Sequence, residues 1–239
     1  MLKAITFIRS IIFNLVFYAW TLFICTIMLW TMLLPRPTSH VVPWMWTWGT
    51  RFLLFVICGI RIKIKGRENL PKKNGYIVAA KHQSAMETAL FHSIVPRTVY
   101  VLKKELLFLP VAGLYFWGTG CIPIDRKKGT TAMRLMLDKA KKRLAEGYNV
   151  IVFPEGTRVK PRQPSKYNPG VSFIYEQCNV PVVPIALNTG YFWPKNSFWR
   201  YSGTVTIDIL PPIEAGLDKR QFLNEVENKI ETACQNLNP

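Results

Sequence analysis

The first sixty residues constrain the fold more than any other part of this 239-residue chain. They contain no aspartate or glutamate, and the 25 residues from Ser10 to Leu34 carry no formal charge. As a helix, this run would extend ~37 Å, which exceeds the ~30 Å thickness of the hydrocarbon core of a bilayer. It is too long for a cleavable signal peptide, and no small-residue cleavage site follows it. We predict a membrane-seeking helix that ends at the Pro-Arg-Pro stretch of residues 35–37.

A second apolar stretch, residues 41–60, fits the face of a membrane better than its interior. Pro43 lies near its start and Arg51 near its middle, where an arginine costs about 2.5–3.5 kcal/mol on insertion scales. Its three closely spaced tryptophans are typical of the membrane–water interface. We predict that residues 1–60 form a two-helix anchor, in one leaflet or across both, and that residues 61–239 form a globular domain. The alternative is that both helices belong to the core of a soluble protein.

The charge of the globular part indicates what it binds. Residues 61–239 carry 27 lysines and arginines against 14 acidic residues, an excess that calls for an acidic partner or an anionic surface. No nucleic-acid-binding motif occurs, so we expect anionic lipids and phosphorylated substrates, and no nucleic acid. Four basic residues between 61 and 67 follow the anchor directly, which favours a globular domain on the cytoplasmic side. The five cysteines have no paired spacing, so neither a disulfide frame nor a zinc site is expected.

Beyond the anchor, short β-type runs alternate with helical patterns. Continuous apolar runs have the composition of strands that are buried on both faces, and two further runs alternate as half-buried strands do. This order predicts an α/β fold, in which helices flank a mixed, mostly parallel sheet. The predicted strands cover residues 61–65, 75–80, 97–102, 120–124, 149–153, 182–187 and 204–210, and the predicted helices cover residues 130–146 and 218–237.

A histidine and a carboxylate follow the first buried strand. His82 comes directly after this strand, where ligands bind in open α/β sheets, and Glu87 lies five residues later. Residues 84–87 match a capping box, which would start a helix at Ser84 and leave His82 in the preceding loop. Two roles for Glu87 fit this pattern. It orients the imidazole of a general base, or it only caps the helix while His82 makes structural hydrogen bonds.

The second candidate segment is the FPEGTR turn, Phe153 to Arg158. Gly156 permits close approach of the backbone, Glu155 offers a carboxylate, Thr157 offers a hydroxyl, and the Arg158 guanidinium suits phosphate. The structural alternative is an ordinary turn with a salt bridge. No Gly-x-Ser-x-Gly sequence occurs and no cysteine has a histidine beside it, so we expect no covalent nucleophile. A base and an oxyanion stabiliser suffice for direct attack by a substrate hydroxyl.

Together, these segments resemble the glycerolipid acyltransferase family, and most closely its bacterial lysophosphatidic acid acyltransferases. The resemblance covers about residues 60–215 and rests on four blocks in family order. The blocks are a His-x4-acid box, a Lys-x2-Leu-x6-Gly-x12-Arg spacing, the FPEGTR turn, and an apolar strand that contains a proline. The residues that carry them are His82 and Glu87; Lys103, Leu106, Gly113 and Arg126; Phe153 to Arg158; and Pro184.

The resemblance implies an O-acyltransferase of phospholipid synthesis at the bacterial inner membrane, with its catalytic domain at the cytoplasmic face. It implies transfer of an acyl chain from acyl-CoA or acyl-carrier protein to the sn-2 hydroxyl of lysophosphatidic acid, giving phosphatidic acid. Membrane lipids are then partners, and no metal or cofactor is required. In the implied roles, His82 is the base and Glu87 positions it. The implied phosphate pocket comprises Lys103, Arg126, Glu155, Gly156, Thr157 and Arg158, and the implied structural residues are Leu106, Gly113 and Pro184.

The chain departs from the family pattern at two positions. Glu87 stands where the family usually has aspartate, which retains the charge but changes the reach. Lys81 stands where asparagine is common, and its charge is expected to disfavour protonation of His82. Other acceptors, such as glycerol-3-phosphate or a lyso-ornithine lipid, are alternatives within the enzyme class. A catalytically inactive, membrane-bound lipid-binding protein is the alternative outside it.

Overall fold

The computed structural model describes residues 2–33, 40–73, 75–125, 127 and 129–238. The strands are β1 Ile60–Lys65, β2 Ile77–Ala80, β3 Thr98–Lys103, β4 Ile122–Ile124, β5 Asn149–Val152, β6 Val182–Leu187 and β7 Gly203–Ile209. The α-helices are α1 Leu2–Ile27, α2 Val41–Cys58, α3 Met86–Leu90, α4 Ala112–Gly118, α5 Gly129–Ala145, α6 Gly170–Cys178 and α7 Lys219–Gln235. Short 3-10 helices cover Leu29–Leu33, Arg67–Asn69, Phe91–Ser93, Lys104–Phe108 and Thr189–Tyr191.

The strands form one seven-stranded sheet in the order β1-β7-β6-β2-β5-β3-β4. Strands β6 and β7 pair antiparallel, and every other neighbouring pair is parallel. The predicted fold, a mixed and mostly parallel sheet flanked by helices, is therefore confirmed. Five strands, from β6 to β4, run in the same direction. Their carboxyl ends meet at one edge of the sheet, where open α/β folds bind ligands.

The two faces of the sheet bury separate apolar cores, which explains the continuous apolar run of β2. Val78 and Ala80 pack into the core under α2 and α3, whereas Ile77 and Ala79 pack into the core under α5, α6 and α7. All four residues of β2 are fully buried, because successive side chains of a strand point to opposite faces. Strand β1 lies at the edge of the sheet, as its alternating sequence predicts.

Helices α1 and α2 are the predicted anchor, and each is long and apolar enough to cross a membrane. They also pack against the globular part. Phe13 is fully buried and meets the Trp193 ring edge-on at 5.4 Å, and the Arg200 guanidinium donates to Asn14 Oδ1 at 2.8 Å. Helix α1 ends at Ile27, earlier than predicted, and a 3-10 turn follows. The predicted stop at residues 35–37 lies outside the described residues.

The ends of the predicted helices follow local rules. Asp218 caps α7 by accepting hydrogen bonds from two backbone amides, and Gly147 lies after the end of α5 with φ +76°. Helices α4 and α6 were not predicted. Each is short, with seven and nine residues, so neither is long enough for a helical periodicity to be recognised from the sequence.

Candidate active site

A cavity of about 710 Å³ opens at the carboxyl edge of β2, β3, β4 and β5. Its polar part is lined by His82, the turn of residues 156–158, Lys103 and Lys195. The rest of the wall is mostly apolar and comes from β3, the 3-10 helix that follows it, α4, β4, α5 and β5. This wall includes Val101, Leu102, Leu106, Phe116, Ile124, Met133, Met136 and Val152. The arrangement suits a ligand with an anionic head and a long apolar tail.

The FPEGTR turn and Val159, the residue that follows it, bond to the amide and the carbonyl of His82. The His82 amide donates to Glu155 Oε2 at 2.7 Å, and the His82 carbonyl accepts from the Val159 amide at 2.8 Å. The imidazole stacks on the ring of Phe153, with 3.9 Å between centroids and 19° between planes. The two sequence motifs are therefore one structural unit. Any movement of the turn would move the histidine with it.

Glu87 lies fully buried behind His82 and accepts several hydrogen bonds. Its carboxylate accepts from the Gln83 amide at 3.0 Å, from the Ser84 amide at 2.8 Å and from the Thr189 hydroxyl. Glu87 Oε2 also lies 3.5 Å from His82 Nδ1. This is ion-pair distance, although Nδ1 makes no geometrically acceptable hydrogen bond within the part of the chain that is described. The negative charge is thus placed to stabilise a protonated imidazole.

The local fold around Glu87 is close to the predicted capping box. Glu87 lies in the first turn of α3, and its side chain reaches back to the Ser84 amide as predicted. The Ser84 hydroxyl accepts from the Met86 amide, and the helix begins at Met86, two residues later than expected. The delay arises because the amides of residues 83 and 84 both turn toward the carboxylate. This turn leaves His82 in the loop and facing the cavity.

Cationic side chains gather at the polar end of the cavity. Lys103 ends β3 and Arg158 ends the FPEGTR turn, and both line the cavity together with Gly156 and Thr157. Arg126, the remaining predicted phosphate ligand, lies outside the described residues.

Lys195 is an additional cation at the polar end that the sequence did not indicate. Its ammonium donates to the Arg158 carbonyl at 2.6 Å and lies 3.4 Å from the Thr157 hydroxyl. It comes from a segment between β6 and β7 that matches no family block. Only the folded chain brings it next to the turn.

The structure places two predicted residues outside the cavity lining. Glu155 was expected in the phosphate pocket, but its carboxylate is buried and forms a 2.7 Å ion pair with Lys81. From this position the carboxylate accepts from the His82 amide and does not line the cavity. Lys81 was expected to act on His82 by its charge. Its ammonium instead points to the other face of the sheet, between the carboxylates of Glu155 and Glu231.

The predicted structural residues have separate roles. Leu106 lines the cavity. A side chain on Gly113 would overlap the carbonyl oxygen of Leu107, so the contact between α4 and the preceding 3-10 helix requires glycine. Pro184 lies within β6, and its carbonyl accepts from the Leu210 amide where pairing with β7 begins. Pro184 has no amide hydrogen to donate, and this missing donor lies at the end of the hydrogen-bonded pairing between β6 and β7.

Comparison with known proteins assigns the chain to a family. The family model described as Acyltransferase matches residues 61–188. Over 184 residues the chain is 33% identical to the 1-acyl-sn-glycerol-3-phosphate acyltransferase of Pseudomonas aeruginosa, an alignment that includes 77% of this chain and 70% of the relative. Over 157 residues it is 34% identical to human 1-acyl-sn-glycerol-3-phosphate acyltransferase alpha, which includes 65% of this chain and 56% of the relative. The chain belongs to the acyltransferase family, and the resemblance drawn from its motifs is confirmed.

A solved structure shares the fold over nearly the whole length. The 1-acyl-sn-glycerophosphate (LPA) acyltransferase of Thermotoga maritima matches with a TM-score of 0.82, and the match covers 99% of this chain and 97% of the other. Sequence identity over this match is 23%. The likeness extends to the N-terminal helices, since almost no part of either chain is left out.

Proposed function

We propose that this protein transfers an acyl chain from a thioester to the sn-2 hydroxyl of lysophosphatidic acid and so forms phosphatidic acid. The observation that carries the proposal is that His82 lines one cavity together with the cations Lys103, Arg158 and Lys195 and with an apolar wall. A lysophospholipid carries the matching groups, which are a phosphate, a free hydroxyl and an acyl chain. The names of the bacterial and human relatives support this choice of acceptor.

The reaction follows from the groups that line this cavity. The imidazole of His82 accepts the proton of the acceptor hydroxyl, while the hydroxyl oxygen attacks the thioester carbonyl carbon. The carbon–sulfur bond of the resulting tetrahedral intermediate then breaks, and the departing sulfur takes the proton back from the imidazolium. The buried carboxylate of Glu87 stabilises the imidazolium between the two transfers. Acyl-CoA or acyl-carrier protein serves as the donor, and the cycle consumes no cofactor.

The test of this function is thiol release by the purified protein in a defined acyl-thioester assay. Lysophosphatidic acid, glycerol-3-phosphate and a lyso-ornithine lipid are each offered as acceptor, with acyl-CoA and acyl-carrier protein as donors. We expect turnover with lysophosphatidic acid to exceed that with the other acceptors. Faster turnover with either of them would move the proposal to that acceptor. No thiol release with any acceptor would contradict acyl transfer altogether.

We expect Arg158→Ala to raise the KM for lysophosphatidic acid about 10- to 100-fold, because a hydrogen bond to a charged group is worth ~1.5–3 kcal/mol. The KM for the acyl donor should change much less. Arg126→Ala is expected to act in the same way, from its place in the motif. Lys160→Ala is the matched control, because Lys160 is exposed two residues beyond Arg158. A larger rise in the donor KM than in the acceptor KM would assign the guanidinium to the donor.

The proposed substrate places the protein at a membrane surface, and an exposed apolar face supports this. Helices α1 and α2 expose many large apolar side chains, and residues 106–117 add more. Phe108 and Trp117 are 76% and 71% exposed. The hydroxyl of Tyr115 donates to the Cys25 carbonyl at 2.8 Å, so this segment is joined to α1. We place α1, α2 and residues 106–117 in one lipid-facing surface, with the catalytic domain at the cytoplasmic face.

Replacing Phe108 and Trp117 together by serine is expected to lower the partition coefficient onto neutral vesicles at least about tenfold, because burying one large apolar side chain is worth ~1.5–3 kcal/mol. Sedimentation over a series of vesicle concentrations measures the coefficient. Leu135→Ser is the control, since Leu135 is half-exposed on α5, across the sheet from α1 and α2. Equal partition of the double variant and the wild type would remove residues 106–117 from the lipid-facing surface. Point substitutions are preferred to deletion of residues 1–60, which would uncover the core around Phe13.

A further inference from the structure

A buried ion cluster lies behind the catalytic loop and outside the cavity. The Lys81 ammonium is 2.7 Å from Glu155 Oε1 and 2.6 Å from Glu231 Oε1. The side chain of Lys81 is 2% exposed and that of Glu231 is 27% exposed, while Glu155 is fully enclosed. The hydroxyl of Tyr167 donates to Glu231 Oε1 at 2.9 Å. The cluster joins the end of β2, the FPEGTR turn and the C-terminal helix α7.

The charges of this cluster depend on one another. Burial alone would lower the pKa of the Lys81 ammonium, but the carboxylates of Glu155 and Glu231 outweigh burial and raise that pKa. Burial raises the pKa of the Tyr167 hydroxyl, which therefore remains a proton donor to Glu231. A buried ion pair gives little net stability, because desolvation of the ions offsets their attraction. Stability alone is therefore a weak reason for this chain to carry such a cluster.

The geometry of β2 connects the cluster to the base. Lys81 and His82 are adjacent at the end of the strand, so their side chains leave on opposite faces of the sheet. Lys81 continues the register of Ile77 and Ala79 toward α7, and His82 faces the cavity. Glu155 links the two residues, because its Oε1 binds the Lys81 ammonium while its Oε2 accepts from the His82 amide. Four residues thus form one continuous chain of contacts from α7 to the base.

We propose that Glu231 and Lys81 are positioning residues, which hold Glu155 against the His82 amide and thereby fix the catalytic imidazole. The inference rests on the proposed acyl transfer. Glu231 lies beyond residues 61–188, the part that matches the family model, so α7 contributes to the site from outside that region. The cluster is therefore a means by which the C-terminal helix supports the histidine from the other face of the sheet.

The test compares Glu231→Gln with Glu225→Gln in the full-length protein. The first substitution removes the charge from the cluster and retains its size. The second is the matched control, because Glu225 lies on the same helix and pairs with Lys229 at the surface, at 3.0 Å. We expect Glu231→Gln to lower kcat roughly tenfold, less than the ~100-fold that a 1 Å misplacement can cost. Its KM for both substrates should stay within about twofold, and Glu225→Gln should match the wild type in kcat.

A second comparison uses Lys81→Met alone and combined with Glu231→Gln. If both residues act through Glu155, the double variant should have the kcat of Lys81→Met, because residues that act as a unit are not additive. If the two residues acted independently, the fold losses of kcat in the two single variants would instead multiply in the double variant. All rates are expressed per folded molecule, well below each melting temperature. Should Lys81→Met fail to fold, the comparison of Glu231→Gln with Glu225→Gln decides the matter.

Three results would overturn the inference. They are an unchanged kcat for Glu231→Gln with only a lower melting temperature, a raised KM in place of a lowered kcat, and a multiplicative loss in the double variant. A wild-type protein and a Glu225→Gln variant that both fail to release thiol would contradict the proposed function instead. The two failures are therefore distinguishable in one experiment.

Discussion

Replacing His82 by alanine is expected to lower kcat by about 10²–10⁴-fold, the usual contribution of a positioned general base. The fold should remain intact, because the contacts that hold this loop belong to the backbone. The His82 amide and carbonyl bond to Glu155 and Val159, and alanine retains both bonds. The side chain itself is 17% exposed and adds mainly a stacking contact with Phe153. Thiol release from an acyl thioester with lysophosphatidic acid measures the rate.

A second substitution separates the loss of the base from the loss of packing. His82→Phe keeps an aromatic ring against Phe153 but has no nitrogen that could take a proton. We expect it to be as inactive as His82→Ala, with a melting temperature close to that of the wild type. Membrane partition should be unchanged in both variants. If either pure variant retains more than about a tenth of the wild-type rate, His82 is not the general base.

The fold was predictable where one physical rule decides the structure. The all-apolar run of β2 predicts a strand that is covered on both faces, and the cores on either side of the sheet account for it. The alternating run of β1 predicts an edge strand, and β1 lies at the edge. Helices α4 and α6 escaped prediction because seven and nine residues are too few for a helical periodicity to be recognised. Tertiary contacts also hold α4 in place, such as the hydrogen bond from Tyr115 to the Cys25 carbonyl, 90 residues away in sequence.

The candidate site was predictable in its motifs but only partly in its geometry. The capping-box pattern of residues 84–87 predicted that His82 lies in a loop and Glu87 in the first helical turn, as the structure has them. The sequence did not predict that the Glu155 carboxylate is buried against Lys81, since a turn motif does not show which of its side chains face the protein interior. The inward position of Lys81 did have a signal. It continues the register of Ile77 and Ala79, which face α7.

Lys195 and Thr189 show a different limit of sequence reasoning. Both lie after β6 in a segment that has no motif of its own, and both reach the site only because β6 is the neighbour of β2. Thr189 donates to the carboxylate of Glu87, and Lys195 donates to the Arg158 carbonyl. Pairing between strands that are distant in the chain produces no periodic pattern in the sequence. Their roles are therefore visible only after the strand order is known.

The structure sharpens the expectation for Glu87→Gln. From the sequence alone, glutamine would serve a capping box almost as well as glutamate. In the structure, the carboxylate accepts from two backbone amides and the Thr189 hydroxyl, and it faces His82 Nδ1 at 3.5 Å. Glutamine has one acceptor oxygen, and its amide group would point a donor at another donor. We therefore expect Glu87→Gln to lower the melting temperature whichever role Glu87 has. The two roles differ in whether kcat falls as well.

If Glu87 orients and stabilises the imidazolium, Glu87→Gln should lower kcat by about 10²-fold or more, within the ~10⁴-fold that the same type of change costs a serine-protease triad. The melting temperature should fall by roughly 2–12 °C, from ~1–3 kcal/mol for buried donors left unpaired. Glu87→Asp should recover part of the rate, since the charge remains but reaches a shorter distance. Activity and thermal melting are measured on the same detergent-solubilised samples.

Thr189→Val is the matched control for this substitution. It removes one donor to Glu87 and leaves the charge and its distance to His82 in place. We expect it to lower the melting temperature with little effect on kcat, because the imidazolium keeps its counter-ion. If Glu87 is only structural, Glu87→Gln and Thr189→Val should both reduce stability and neither should reduce kcat per folded molecule. That result would leave His82 to act without a charged partner. The base would then be oriented by its stacking on Phe153 and by the hydrogen bonds that hold its backbone.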